Sequence, residues 1–346
     1  QEYRRCHPGR AQQDPEERLM RNFDYARAAD VEQAITLHAR GSDTVYLAGG
    51  TTLLDLMKLD IMQPAHVVDI HRLKLDKIET LGDGRVRIGA MVSNTDLARH
   101  DHIRKQYPVL SQALLSGAST QLRNKATTAG NVMQRVRCGY FRDGVSACNK
   151  RNPGSGCAAI EGLNRNVHAV LGGSPNCIAA HPSDMCVAMA AIGATIHVQG
   201  PKGKRDIPFA DFHLLPGETP WKEHALDAGE MITHITLDAP MPGSRSAYLK
   251  LRDRTSYQFA LASSAVVVAL DGNTVRDVRI ALGGVATKPW RAANAEAVMR
   301  GKPVSEALVR EAAATAMAGA KSYGQNGFKL MLGQQAVMRN LSLLTA

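Results

Sequence analysis

Long apolar runs, aromatic clusters and the common short catalytic motifs are all missing from this sequence of 346 residues. No stretch of about eighteen apolar residues occurs, so no membrane span is predicted. Aromatic residues make up only 5 % of the chain and no basic block is interleaved with them, so nucleic-acid binding is not expected. Neither a Walker loop nor G-x-G-x-x-G is present, and no Ser-His-Asp, Cys-His or H-E-x-x-H arrangement supports hydrolysis.

The composition is otherwise that of an ordinary globular protein, with 44 % apolar and 21 % charged residues. Its length allows two or three domains with full cores. The net charge of +10 suits an acidic partner, a membrane surface or nucleic acid. Because the aromatic content argues against nucleic acid, a subunit that docks onto acidic protein surfaces fits this charge well.

The first nineteen residues look foreign to the rest of the chain. Arg4-Arg5 is not followed by an apolar segment, so it is not expected to act as an export signal, and the chain is expected to have no signal of its own. Met20 opens a normal-looking segment. We therefore expect residues 1–19 to be an extension that is disordered or foreign to the natural protein, and Met20 to be the natural start.

Periodicity and turn signals divide the remainder into two domains, 20–240 and 241–346, with a long loop over 132–180 inserted in the first. Asp30 is expected to cap a helix over 31–37, followed by strand 45–47, helix 53–59 and strand 67–70. The second domain shows strand patterns at 247–251, 260–270 and 275–282, then helical patterns at 291–299, 304–318 and 327–343. Strands first and helices last predict an α+β domain.

Two glycine-containing loops are candidates for binding a diphosphate. Ala48-Gly-Gly-Thr-Thr52 follows a predicted strand and precedes a predicted helix, so free N–H groups and two hydroxyls would face a ligand there. Thr127-Thr-Ala-Gly-Asn131 carries the same mixture of hydroxyl, glycine and amide. Taken alone each is a weak signal, because strand-to-helix turns often use glycine for steric reasons only.

Four cysteines lie on the inserted loop with the spacing C-x9-C-x8-C-x19-C: Cys138, Cys148, Cys157 and Cys177. Unrelated thiols, a zinc site, an iron–sulfur cluster and disulfides are all open on spacing alone, since the close pairs typical of metal sites are absent. Six basic residues against two acidic ones between 132 and 180 would stabilise an anionic iron–sulfur cluster. Cys6 falls in the predicted extension, and Cys186 is expected to be a core residue.

Three further residues have simple structural interpretations. Lys250 and Arg252 alternate with leucines on a predicted strand, and that pattern alone predicts a solvent-facing edge. Asp184 follows Ser183 at a predicted helix start, where an N-cap or first-turn carboxylate is expected.

Together these segments resemble a known family, the FAD-binding subunits of the molybdenum hydroxylases (the xanthine dehydrogenase family). Tyr46–Leu54 resembles the first diphosphate loop of that family, and Ala126–Asn131 the second, with Ala129 where Gly is usual. Pro182-Ser-Asp184 and Tyr248-Leu-Lys250 are similar to two further flavin-contacting segments. The resemblance covers nearly the whole chain from Met20. It is strongest to the flavin subunits of periplasmic aldehyde oxidoreductases, because Cys148–Cys157 is a long and unusual string.

The resemblance implies an α+β fold, in which a two-part FAD-binding α/β domain precedes a smaller α+β C-terminal domain. It implies that the cysteines Cys138, Cys148, Cys157 and Cys177 hold a [4Fe–4S] cluster. It also implies a set of FAD-binding residues: Tyr46, Leu47, Ala48, Gly49, Gly50, Thr51, Thr52, Leu53, Leu54, Thr127, Gly130, Asn131, Asp184, Ile232 and Lys250. Of these, Asp184, Ile232 and Lys250 would lie along the isoalloxazine or ribityl chain.

The implied enzyme is a heterotrimer that oxidises aldehydes without NAD. A large subunit would hold the molybdenum cofactor and a small subunit a [2Fe–2S] cluster, and this chain would pass their electrons to an external ferredoxin- or quinone-like acceptor. No catalytic residue is expected in this chain. The complex would be periplasmic through co-export with a signal-bearing partner, and otherwise cytoplasmic. The alternative is a flavin-less scaffold subunit with a structural zinc site. The presence of all four phosphate- and flavin-facing segments argues against this alternative.

Overall fold

The computed structural model describes residues 20–346. The expected extension over 1–19, with Cys6, lies outside the described residues. Among the residues described, no helix is both long and apolar enough to cross a bilayer.

The described part of the chain begins with a three-stranded parallel sheet of order β1-β3-β2. Its strands are β1 (Asp24–Arg27), β2 (Thr44–Leu47) and β3 (His66–Asp69), and they are accompanied by the helices α1 (Val31–His38) and α2 (Leu53–Lys58). The Asp30 side chain accepts a hydrogen bond from the Gln33 N–H at 2.7 Å, so the predicted cap of α1 is confirmed. The first glycine loop therefore leaves the carboxyl end of β2, an edge where open α/β sheets bind ligands.

A five-stranded antiparallel sheet of order β4-β5-β8-β6-β7 forms the second part of the first domain. Its strands are β4 (Ile78–Thr80), β5 (Val86–Gly89), β6 (Ala194–Gly200), β7 (Gly203–Pro208) and β8 (Met231–Leu237). The connecting helices are α3 (Asn94–Arg99), α4 (Asp101–Gln106), α5 (Pro108–Ser116), α6 (Thr120–Lys125), α7 (Thr128–Val132), α10 (Asp184–Ile192) and α11 (Phe209–Phe212). Ser183 caps α10 by accepting from the Cys186 N–H, so Asp184 is its first-turn carboxylate.

The inserted loop is folded around its own small core, although it contains only two short helices, α8 (Gly139–Arg142) and α9 (Ala158–Glu161). Phe141 and Ile178 are fully buried there beside Leu56 of α2. Cys148 and Cys157 pair as an isolated antiparallel bridge, which brings two of the cysteines side by side. The loop is thus attached to the helix that follows the first glycine loop.

The C-terminal part is an antiparallel sheet of order β12-β11-β10-β9; two helices pack against this sheet, and a third packs on those two helices. The elements are β9 (Ser244–Leu251), β10 (Ala262–Asp271), β11 (Thr274–Gly283), β12 (Trp290–Arg291), α12 (Ala293–Met299), α13 (Glu306–Ala316) and α14 (Phe328–Thr345). Val266 and Val268 of β10 pack toward those helices, whereas Ala265 and Val267 join the core of the first domain. The predicted α+β domain is confirmed, and its sheet is covered on both faces.

Candidate functional site

The first glycine loop, Ala48–Thr52, offers a set of free hydrogen-bond donors. Within the described chain, the N–H groups of Gly50, Thr51 and Thr52 donate to no other group. Gly50 has a φ of +75°, a conformation that favours glycine. A Cβ on Gly49 would lie 1.9 Å from the Lys125 carbonyl oxygen, so only glycine allows this loop to approach the second one. Free amides in such a concave turn suit anionic oxygens.

The second glycine loop is organised differently, because most of its amides are already used. It forms the helical turn α7, where the Thr128 and Ala129 N–H groups donate to the carbonyls of Val92 and Ala90. The Gly130 N–H donates to the Thr127 hydroxyl oxygen at 3.2 Å. The side chain of Asn131 accepts from the Ser183 hydroxyl at 2.8 Å. This loop therefore presents side chains rather than free amides.

Two neighbouring chambers are lined by these loops. The outer chamber, of about 510 Å³, lies between the first glycine loop and the segment 226–232. The inner chamber, of about 200 Å³, extends from the loops to the Asp184–Lys250 pair and is covered by Tyr257 and Phe259. Thr51, Thr52 and Gly130 line both chambers. The free amides of Thr51 and Thr52 thus lie at the boundary of the two chambers, a position suited to the central anionic group of a long ligand.

A buried polar cluster closes the inner chamber. Lys250 Nζ lies 2.7 Å from Asp184 Oδ2 and donates to the Ser116 carbonyl at 3.1 Å, while the Tyr248 hydroxyl donates to Asp184 Oδ1 at 2.5 Å. The Lys250 and Asp184 side chains are only 4 % and 8 % exposed. Burial, followed by the nearby Asp184 charge, raises the pKa of Tyr248 well above its ordinary value, so its hydroxyl stays protonated and acts as a donor.

The solvent-facing position predicted for Lys250 from its strand pattern is wrong. Helix α5 covers that face of β9, and its Gln112 side chain accepts from the Tyr248 N–H at 2.8 Å. The alternation of polar and apolar residues in β9 therefore does not distinguish a core face from a solvent face, because both faces of this strand are covered. A buried ammonium at this position is held by its carboxylate partner.

The structure distributes the predicted FAD-binding residues over both chambers. Asn131, Asp184 and Lys250 line the inner chamber and Ile232 the outer one, so Ile232 is separated from the two residues with which the resemblance groups it. Leu47 and Leu54 line neither chamber and instead pack around Gly50. The remaining predicted residues line the outer chamber: Tyr46, Ala48, Gly49, Gly50, Thr51, Thr52, Leu53, Thr127 and Gly130.

The four loop cysteines line one small cavity, and none of them forms a disulfide. Burial is the main cause that raises the pKa of Cys138 to about 12, and burial also raises the pKa of Cys177. Both thiols therefore carry their protons at neutral pH until a cation replaces them. Cys138 Sγ lies 3.2 Å from His168 Nε2. The donor set of four thiols on irregular backbone suits a thiophilic metal or an iron–sulfur cluster.

Most of the six cations of this loop are engaged away from the cysteines. Arg137 and Arg142 pair with Asp55, and Arg165 stacks on the Phe328 ring at 4.8 Å. Arg151 donates to backbone carbonyls of the loop itself. Among the residues that the structure describes, Lys150 is the one cation that lines the cysteine cavity.

A second group of potential ligands lies outside both chambers and outside the cysteine cavity. One ring nitrogen of His181, one of His213 and the Cys186 sulfur lie within 4.8 Å of one another. His213 Nε2 lies 3.0 Å from the Val132 carbonyl, so its Nδ1 is an acceptor, whereas His181 Nδ1 accepts from the Ser183 N–H, so its Nε2 carries the proton. A donor and an acceptor suit a bridging water better than a cation. Cys186 is fully buried, as predicted.

Several residues in or next to these sites are not predicted individually by any sequence motif. The sequence reveals Tyr248 only as part of a segment, and its bond to Asp184 spans 64 positions. Glu223, which pairs with Lys150, lies in a stretch without any sequence signal. Tyr257 carries a φ of +51°, an unusual conformation for a non-glycine residue that no sequence pattern reveals.

Comparison with known proteins identifies two family matches that together span almost all of the described chain. Residues 21–240 match the FAD binding domain in molybdopterin dehydrogenase, and residues 246–342 match the CO dehydrogenase flavoprotein C-terminal domain. The chain is 49 % identical to the aldehyde oxidoreductase FAD-binding subunit PaoB of Escherichia coli (strain K12), over 92 % of this chain and 96 % of that protein. It is 29 % identical to the carbon monoxide dehydrogenase medium chain of Hydrogenophaga pseudoflava, over 92 % and 96 %.

Solved structures give the same result at the level of the fold. A carbon monoxide dehydrogenase from Hydrogenophaga pseudoflava superposes with a TM-score of 0.74 at 29 % identity, covering 94 % of this chain and 98 % of that one. Quinoline 2-oxidoreductase from Pseudomonas putida 86 superposes with a TM-score of 0.72 at 23 % identity, covering 94 % and 98 %, and at that identity supports the fold alone.

Proposed function

Because the chain belongs to the FAD-binding medium subunits of the molybdenum hydroxylase family, we propose that it is the FAD- and [4Fe–4S]-containing electron-transfer subunit of a molybdenum-dependent aldehyde oxidoreductase. The aldehyde assignment rests on the 49 % identity to the Escherichia coli subunit. The observation that carries the cluster assignment is the convergence of four loop thiols on one cavity.

The fit of FAD rests on the two chambers and the donors where they meet. The free amides of Gly50, Thr51 and Thr52 would hold the diphosphate, with the side chains of Thr127 and Asn131 completing the site. Bound FAD would supply redox chemistry that accepts electrons from the partner cofactors and gives them to an external acceptor. Lys250 would place a cation in the inner chamber, fixed by Asp184, where it stabilises negative charge.

The fit of an iron–sulfur cluster rests on how the cysteine sulfurs are spaced. Within residues 20–346, the one group of three or more potential ligands within 4.8 Å of one another is His181, Cys186 and His213, so no three loop cysteines are that close. Zinc–sulfur bonds of about 2.3 Å in a tetrahedron hold the sulfurs about 3.8 Å apart. The wider spacing leaves room for a larger metal core, which Cys138, Cys148, Cys157 and Cys177 would bind as thiolates.

The proposed partners are a large subunit with the molybdenum cofactor, which oxidises the aldehyde, and a small subunit with a [2Fe–2S] cluster. The proposed acceptor is a ferredoxin- or quinone-like molecule, independent of NAD. We also propose that the complex is periplasmic, exported with a signal-bearing partner, and otherwise cytoplasmic. Cell fractionation followed by detection of this chain tests the location, and its recovery only with cytoplasmic markers would contradict export.

An anaerobic absorption spectrum with iron and sulfide analysis tests the cofactors. We expect a flavin doublet on a broad iron–sulfur shoulder, both bleached by dithionite. In Cys157→Ser the shoulder and four irons per chain should be lost while FAD stays bound, because the loop and the chambers have separate cores. Cys186→Ala removes a buried cysteine outside the cavity and should change neither cofactor.

The outcomes separate this proposal from its alternative. Iron content unchanged in Cys157→Ser would contradict the ligand assignment, although the flavin assignment would stand. One zinc per chain with no flavin, in protein isolated gently with its partners, would instead support the scaffold alternative.

A further inference from the structure

Lys150 combines deep burial with a position at the cysteine cavity. Its side chain is 8 % exposed, and it lies two positions after Cys148. It lines the cysteine cavity together with Cys148 and Cys177. Its ammonium group donates to the Pro220 carbonyl at 2.8 Å, which ties the cysteine loop to the segment 213–224. A lysine in this place costs free energy unless negative charge compensates it.

The protein itself supplies only part of that compensation. Glu223 Oε1 lies 3.0 Å from Lys150 Nζ, but the other oxygen of the same carboxylate pairs with Arg135. The Glu223 and Arg135 side chains are 17 % and 24 % exposed. Two cations therefore share one anion, and the group keeps a net charge of +1 beside the cysteine cavity. An anionic ligand in that cavity would complete the balance.

The segment 213–224 also contacts the cysteine loop close to Lys150. The Ser174 hydroxyl donates to the Gly217 carbonyl at 2.9 Å, and the Asn176 amide donates to the same carbonyl at 3.0 Å. Asn149 donates to the Asn176 carbonyl at 3.3 Å. Because the Lys150 and Glu223 side chains are only 8 % and 17 % exposed, their effect on a neighbouring group is screened less than at a surface.

We propose that the positive charge of Lys150 raises the redox potential of the cysteine-bound [4Fe–4S] cluster, and that the negative charge of Glu223 lowers this potential. This inference rests on the proposed function, because it requires the cluster. One-electron reduction takes a four-iron core with four thiolates from a charge of about −2 to about −3. The Lys150 ammonium stabilises the reduced form more than the oxidised form, and the Glu223 carboxylate does the reverse.

The sign of each shift distinguishes electrostatics from a structural role. Lys150→Gln removes the positive charge and should lower the potential. Glu223→Gln removes the negative charge and should raise it. A variant that merely loosened the contact between the segment 213–224 and the cysteine loop, or admitted water, would shift the potential in the same direction for both substitutions, since both break the same ion pair. Lys150→Arg retains the charge and should retain most of the potential.

The experiment is an EPR-monitored redox titration of the anaerobically isolated complex, following the signal of the reduced four-iron cluster. At a fixed solution potential, the ratio of reduced to oxidised cluster should fall about tenfold in Lys150→Gln and rise by a similar factor in Glu223→Gln. Tenfold corresponds to about 59 mV for one electron. The control is Lys202→Gln, the same change on a side chain that is 92 % exposed, which should leave the ratio within about twofold.

Failure of the inference is distinct from failure of the proposed function. Cluster signals present in all proteins, with potentials in Lys150→Gln and Glu223→Gln that agree with the wild type or shift together, would overturn the role of the charges and leave the cluster in place. A wild-type complex that contains no four-iron signal would overturn the proposed function, and this inference with it. Should Lys150→Gln lose the cluster, a raised potential in Glu223→Gln and an unchanged one in Lys150→Arg still support the proposal.

Discussion

The contact between the two glycine loops leads to the most specific prediction, which concerns Gly49→Ala. The added Cβ would lie 1.9 Å from the Lys125 carbonyl oxygen, 2.8 Å from its carbon and 3.2 Å from Ala126 Cα. All three are backbone atoms, so no side-chain rotation relieves the clash. Ordinary carbon–oxygen contact needs more than about 3 Å, so the loops must separate by more than about 1 Å. That movement pulls the free amides away from the second loop.

We expect this separation to weaken FAD binding by at least about a hundredfold, equivalent to about 2.8 kcal/mol, because misplacing two or three donors to a diphosphate removes several charge-assisted hydrogen bonds. Flavin released on denaturation gives the occupancy, and quenching of FAD fluorescence during titration gives the dissociation constant. The amount of folded protein is checked by far-ultraviolet circular dichroism.

Gly82→Ala is the matched control, because a Cβ at this exposed glycine would meet no atom within 4 Å. It should bind FAD like the wild type. A folded Gly49→Ala protein whose FAD dissociation constant lies within about threefold of the wild type would refute the argument, since it would show that the close approach of the loops does not position the donors.

Two further predictions concern buried titratable groups. Lys250→Met should lower the free energy of unfolding by about 3–5 kcal/mol, because it leaves the buried Asp184 carboxylate without its cation. The double variant Lys250→Met/Asp184→Asn should lose less of this free energy, and chemical denaturation of both proteins measures the difference. Burial lowers the pKa of His213 to about 4. Between pH 6.5 and 4 the unfolded chain therefore binds a proton that the folded chain does not, so stability falls as the pH falls through this window. His213→Asn should reduce the stability lost between about pH 7 and 5 by about 2 kcal/mol.

Each of these predictions has a control on the protein surface. Lys302→Met changes an exposed lysine and should leave stability within about 0.5 kcal/mol of the wild type. His71→Asn makes the same substitution at an exposed position and is the matched variant against which the slope of His213→Asn is compared. If Lys250→Met/Asp184→Asn were as unstable as Lys250→Met, the unpaired Asp184 carboxylate could not be the cause of the instability. If the pH dependence of stability were unchanged in His213→Asn, His213 could not be a histidine that is neutral in the folded protein.

The order of elements in the C-terminal domain was predictable because it depends on local pattern. Strands β9 to β11 and the last helices follow from hydrophobic period and turn residues alone, and the structure changes only their ends. Helix α1 was predictable from its Asp30 cap for the same reason. By contrast, β1 has four residues that are mostly exposed and no period, so its place in the parallel sheet comes from pairing with β3, whose residues lie far along the chain.

The candidate site was only partly predictable. The glycine loops are visible in the sequence because close backbone approach requires residues without side chains. The difference between them, free amides in one and side chains in the other, arises from hydrogen bonds of the second loop to Ala90 and Val92. Local sequence cannot show which distant carbonyls will satisfy an amide.

The sequence by itself determined the classes of element, the two glycine turns and the four thiols, because these depend on neighbouring residues and on their chemistry. Tertiary structure alone decided which charges are buried and with whom. Lys250 is buried because α5 covers β9, and Lys150 because its ammonium group contacts Pro220 and Glu223 of the segment 213–224. The free energy of a charged side chain depends on the neighbouring groups and on its access to water, and both depend on distant parts of the chain that only folding brings near.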